Sequence, residues 1–166
     1  MAQKKRSGEP TGPDRDGLLR DLGAVSRRYM ASYALFNQAL ADHLGLHPTD
    51  LQCLNLLGLE PGPVTTGRIA ELTGLTTGSA TRLVDRLERA GYVTRRRDTE
   101  DRRKVLVEVV PERMAELGKV WGRLNGAWWE MFDAYGDEEI AFIATHMRRT
   151  VDLSASQVER LRSGKL

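Results

Sequence analysis

Cysteine is nearly absent. Cys53 is the one thiol in 166 residues, which excludes an intrachain disulfide framework and fits a reducing compartment. No run of about 18 apolar residues occurs, so nothing is expected to span a bilayer. No apolar stretch follows Lys4-Lys5-Arg6 at the polar start, so a secretory signal is not expected and a cytoplasmic location is. A glycine-rich phosphate loop, a nucleophile elbow and a zinc-hydrolase motif are missing, which leaves catalysis without a candidate centre and points away from an enzyme. No cofactor is implied. Histidine is scarce too: His43 and His47 have Gly45 between them and Pro48 after them, a poor basis for a shared helical face, so no metal site is expected.

What is present is a soluble globular composition, 40% apolar and 29% charged. The net charge of +2 hides a segregation along the chain. Between residues 86 and 104 stand eight basic side chains (Arg86, Arg89, Arg95, Arg96, Arg97, Arg102, Arg103 and Lys104) against four acidic ones. Such a local field attracts polyanions.

Residues 1–15 are rich in Lys, Gly and Pro and read as a disordered basic arm. Over 16–45 apolar residues return at helical spacing (Leu18, Leu22, Val25, Tyr29, Tyr33, Phe36, Leu40), giving one long helix ended by Gly45. Thr49 to Gln52 has the form of a capping box opening a short second helix, with Leu51, Leu54 and Leu57 to Leu59 inside. Pro61-Gly62-Pro63 marks a turn. Thr65 or Thr66 caps a third helix with Ile69, Ala70 and Leu72 inward, and Gly74 ends it. Thr76 caps a fourth, whose inner side is Ala80, Leu83, Val84 and Leu87. Two short helices joined tightly have the layout of a helix-turn-helix. Val93–Arg96 and Lys104–Val110 then read as strands flanking a polar tip, and without Asn-Gly or Asp-Gly there the tip should be long and loose. The fold class expected is mainly α with a small β-hairpin wing: a winged helix-turn-helix over 46–110 plus an all-helical dimerisation region.

Beyond Pro111 the residues Met114, Leu117, Trp121, Leu124, Trp128, Met131 and Tyr135 step by 3 and 4, a seam suited to packing against another helix. Asp137 caps a further helix with Ile140, Ile143, Met147 and Val151 inside, and Ser154 to Gln157 opens a short terminal one. A small winged module cannot cover helices 16–45 and 111–166. The economical solution is a homodimer in which Leu22, Val25, Met114, Leu117, Trp121, Leu124 and Trp128 form the interface.

The fourth helix carries the DNA-reading candidates. Thr76, Thr77, Gly78, Ser79, Thr81, Arg82 and Arg86 occupy its start and its outward face. Hydroxyls reach phosphates or base edges, Arg82 can fork onto guanine, Gly78 permits close approach, and Arg86 suits a phosphate. At the hairpin tip Arg97, Arg102 and Arg103 suit a narrow minor groove, with Asp101 placed to pin the Arg103 side chain. An ordinary solvated face would explain these charges. It would not explain four poor helix formers, Thr76-Thr77-Gly78-Ser79, at the helix start.

Val64 to Leu75, the helix exit Leu87-Glu88 with Gly91-Tyr92-Val93, and Asp98 to Val105 with its Asp-Arg-Arg together resemble the MarR family of bacterial winged-helix regulators. The motifs cover about 46–110, with Thr99 where a proline is usual and Arg68 where a capping glutamate is common. The resemblance implies an obligate dimer and two recognition helices in successive major grooves of a pseudo-palindrome. It implies Arg103 as the wing arginine, Asp101 as its supporting acid, and often a small-molecule pocket. The function expected is therefore a dimeric, sequence-specific transcriptional regulator, an effector-responsive repressor whose partners are double-stranded DNA and itself. A small aromatic or phenolic effector would suit Tyr29, Tyr33, Phe36, Trp121 and Trp128, residues that serve equally well as core. The alternative is a winged-helix protein-interaction module whose basic hairpin meets an acidic partner. Cys53 reads as a buried structural thiol.

Overall fold

The computed structural model describes residues 14–164. The basic arm expected over 1–15 lies outside the described residues as far as residue 13. The elements are α1 (Arg15–Leu44), α2 (Pro48–Leu57), β1 (Val64–Thr65), α3 (Thr66–Thr73), α4 (Thr77–Arg89), β2 (Val93–Arg97), β3 (Val105–Val109), α5 (Pro111–Phe132) and α6 (Asp137–Arg162). The chain divides into two compact units, one ending at Arg113 and the other beginning at Met114.

In the first unit a three-stranded antiparallel sheet has the order β1-β3-β2. Val107 of the central strand lies opposite Val64 on one side and Arg95 on the other. The two-residue β1 is a strand that periodicity could not find, because two residues carry no alternation. The core is Leu51, Cys53 and Leu54 from α2, Ile69 from α3, Leu83, Val84 and Leu87 from α4, and Val93 and Val107 from the sheet. Of α1, only Leu40 and Ala41 near its end are buried. Gly45 stops that helix with φ 67°, a left-handed turn that glycine adopts without strain.

Two local readings change at α2. Its N-cap is His47, not Thr49: Pro48 takes the first helical position, and His47 Nδ1 accepts from the Thr49 amide at 3.2 Å. Leu57 is the last helical residue, so Leu59 turns outward and is 81% exposed.

The second unit contains most of α5 and all of α6. Along the α5 seam Leu117 is buried and Met114 and Trp121 are half-buried, while Leu124, Trp128, Met131 and Tyr135 are exposed. Helix α6 runs unbroken through Ser154 to Arg162, so no terminal helix opens there. Mid-helix serines cost only a few tenths of a kcal/mol each, roughly, which is too little to stop a long helix. Its N-cap is Gly136 rather than Asp137, and Glu139 closes the end by accepting from the Gly136 amide at 2.9 Å. No residue of α6 is buried within one chain, and Ile140, Met147 and Val151, expected inside, are exposed, with Ile143 half-covered.

Among the described residues no helix is long and apolar enough to cross a membrane, and no cluster of His, Cys, Asp and Glu could hold a metal ion.

Candidate nucleic-acid interface

The turn between α3 and α4 is built from glycine and threonine. Thr65 caps α3, accepting from the Arg68 amide at 3.2 Å. Arg68 itself pairs with Glu60 at 3.1 Å and Glu71 at 3.3 Å, an exposed contact of small energetic weight. Gly74 ends α3 at φ 72°. Thr76 caps α4, its hydroxyl oxygen accepting from the Ser79 amide at 3.3 Å while donating to the Ser79 hydroxyl at 3.0 Å. This leaves Thr76, Thr77, Gly78, Thr81 and Arg82 exposed and Ser79 half-covered. Thr81 donates back to the Thr77 carbonyl at 2.9 Å. A Cβ added at Gly78 would meet nothing within 4 Å, so the chain's own packing does not require glycine there.

The basic cluster separates into two sets. Arg86, expected to be free for a phosphate, instead donates through Nε and Nη2 to the two oxygens of Asp50, at 2.8 and 2.5 Å. Asp50 is 2% exposed. By accepting these two hydrogen bonds, the Asp50 carboxylate raises the Arg86 pKa above its ordinary value. Arg95 bridges Asp85 at 2.5 Å and Glu88, and Arg96 pairs with Glu108 at 3.0 Å. Arg89 donates to the Asp85 carbonyl at 3.1 Å. Arg82, Arg97, Arg102, Arg103 and Lys104 form the second set: among the described residues none has a carboxylate within ion-pair distance. Arg82 reaches only the Ser79 hydroxyl, at 3.5 Å.

The wing tip, 98–104, is long, as expected, but tied by its acids. Asp98 accepts from the amides of Glu100 at 2.8 Å and Asp101 at 3.3 Å, and these bonds hold its carboxyl below its ordinary pKa. Asp101 was expected to pin the Arg103 side chain. Its carboxylate instead accepts from the Arg103 backbone amide at 3.1 Å. The acid shapes the loop and leaves the Arg103 guanidinium exposed.

Sequence reasoning missed Asp50, whose partner lies 36 residues away, and the pairing of Arg95, which depends on how β2 packs on α4. It also missed Arg113, whose guanidinium stacks 4.7 Å from the Tyr92 ring centroid. Cys53 is buried, and desolvation, with a smaller contribution from nearby Asp50, pushes its thiol up to about 12. Of the residues proposed for an effector, Tyr29 and Tyr33 are exposed on α1 and Phe36 is half-buried; on α5 Trp121 is half-buried and Trp128 is 40% exposed.

A helix-turn-helix followed by a basic β-ribbon defines a winged-helix DNA-binding protein. A model of the MarR family matches residues 44–104. The chain is 39% identical to the uncharacterized HTH-type transcriptional regulator YcgE of Bacillus subtilis, over 92% of this chain and 98% of that protein. It is 28% identical to the HTH-type transcriptional regulator MhqR of the same organism, over 80% of this chain and 90% of that one. A MarR family protein from Bacillus stearothermophilus shares the fold at a TM-score of 0.67 with 22% identity, covering 86% of this chain and 99% of that one. The chain belongs to the MarR family of transcriptional regulators.

Proposed function

We propose that this regulator acts as a homodimer on a pseudo-palindromic operator. The N-terminal half of each α4 reads a major groove and each wing tip enters a neighbouring minor groove. It represses until a small aromatic or phenolic effector alters the spacing of the two reading heads. The observation that carries the DNA reading is the division of the arginines. Arg86, Arg95 and Arg96 are neutralised by carboxylates, whereas Arg82, Arg97, Arg102 and Arg103 project without one. Within residues 77–104 the cations left without a carboxylate lie on α4 and around the wing tip, beside the hydroxyl-rich helix start. Thr76, Thr77, Gly78, Ser79 and Thr81 supply hydroxyls and a clear approach beside Arg82, and Asp101 shapes the loop behind Arg103.

Dimerisation is supported by the exposed apolar faces of Leu22 and Val25 on α1, Leu124 and Trp128 on α5, and the whole of α6. Met114, Leu117 and Trp121 continue the α5 seam into its covered part.

The test is Arg103→Ala, measured on a duplex selected from a random pool by the wild-type protein. Affinity should fall by about 1–3 kcal/mol, while an exposed side chain leaves thermal stability within about 0.5 kcal/mol. Equal binding by the variant removes the wing from the mechanism. Failure of the intact protein to shift any duplex at low salt would favour an acidic protein partner instead.

A further inference from the structure

The wing is attached to the helical body at few points. Strand β2 lies at the sheet edge, with β3 on one side. Its Val93 is buried, and alternation turns Arg95 to the same face. From Arg96 to Leu106 no residue is buried. Arg95 is therefore the outermost place where β2 grips a helix, while on the other strand the ladder to β1 reaches one rung further, Thr65 opposite Leu106. Arg95 grips α4: Nη2 donates to Asp85 at 2.5 Å and Nη1 to Glu88.

A second observation points the same way. Asp85 and Glu88 lie in the closing turns of α4. Carboxylates there face the negative end of the helix dipole and, three residues apart, repel each other. A planar guanidinium inserted between them relieves both penalties and fixes one orientation, which a lysine ammonium would not do.

We propose that Arg95 is a positioning residue that locks the wing to the recognition helix, setting the offset between the minor-groove and major-groove contacts. This rests on the DNA reading above. Arg95 touches no nucleic acid; it acts through Arg103 at the tip and Arg82 on α4. Without the clamp the ribbon is held at this level only by the β1–β3 ladder, so the tip shifts relative to α4, and the wing loses its groove while α4 keeps its own.

Two footprints on the selected duplex separate these contacts. Guanine methylation reports α4 in the major groove, and hydroxyl-radical cleavage reports the wing in the minor groove. With saturating Arg95→Gln dimer, methylation protection should persist, wing protection should vanish, and affinity should fall about tenfold. Retention of both footprints overturns the clamp. Loss of both by a folded dimer overturns it too, because the residue would then serve the whole domain. Should Arg95→Gln fail to fold, Arg95→Lys is read in the same way: it keeps the charge but cannot fork. If the wild-type protein itself protects neither groove, the DNA reading has failed instead.

Discussion

Asp50 offers both carboxylate oxygens to Arg86 from a site 2% exposed. The two partners are unequal, since the Arg86 side chain is 42% exposed and can turn to water. Removing the arginine strands a buried charge and should cost about 3 kcal/mol. Asp50→Ala frees a solvated guanidinium and should cost about 1–2 kcal/mol. Urea denaturation of both variants measures the difference, and equal losses would contradict the asymmetry. Cys53 gives a second prediction at this scale. With its thiol at about 12, about one in ten thousand is ionised at pH 8, and the thiolate is the reactive form. Alkylation of the folded protein should therefore be slow and should accelerate as urea opens the core; rapid labelling without urea would show an accessible, activated thiol. Asp98 responds to acid with a definite sign. Its folded pKa lies below the ordinary 3.8 because two amides donate to the ionised form, so its hold on the wing tip is complete above 3.8 and is lost as pH falls through the lower folded value. The amide shifts of Glu100 and Asp101 should titrate together there and cease to do so in Asp98→Asn.

Helix α4 shows what an element does with poor helix formers. Thr76 repays its low propensity as a cap, and Thr76→Ala should cost about 1 kcal/mol. Gly78 has no such return, because a Cβ there meets nothing of the protein. Gly78→Ala should stabilise the helix by up to about 1 kcal/mol yet weaken operator binding, since the methyl fills space that a groove wall would occupy. Thermal melting and DNA titration on the same sample read the two signs, and unchanged affinity would remove α4's start from the contact. The caps at Thr65 and Thr76, and the glycine stops at Gly45 and Gly74, were legible because each closes within three or four residues. The same short range misled at Thr49 and Ser154. A capping pattern is permissive, and α2 already opens at Pro48, two residues before the start that a Thr49 cap implies, while nothing in α6 required an interruption at Ser154. The Asp50–Arg86 pair spans 36 residues and the Arg95 clamp joins a strand to a helix, so neither leaves a periodic trace. Sequence reasoning found the cations; folding decided which of them remain free.

At the scale of the whole molecule, α6 is a 26-residue helix without a buried residue. Burial of an apolar side chain is worth about 1.5–3 kcal/mol, and Phe142 at 73%, Val151 at 67% and Leu153 at 60% forgo most of that in a single chain. Leu22 at 50% and Val25 at 53% on α1 and Leu124 at 41% on α5 are exposed apolar side chains as well. The proposed association of two copies would cover these side chains. Val151→Glu discriminates sharply, because a substitution at a truly solvated position changes stability by no more than about 0.5 kcal/mol. If Val151 lies in the dimer seam, the glutamate instead buries an unpaired charge and drives dissociation, with Leu124→Glu acting alike on α5. Sedimentation equilibrium should show wild-type dimers and variant monomers at micromolar concentration. Operator affinity should fall with the dimer, because a single half-site lacks the second reading head. A Val151→Glu protein that remains dimeric and as stable as wild type would place this face in solvent and move the dimer contact elsewhere.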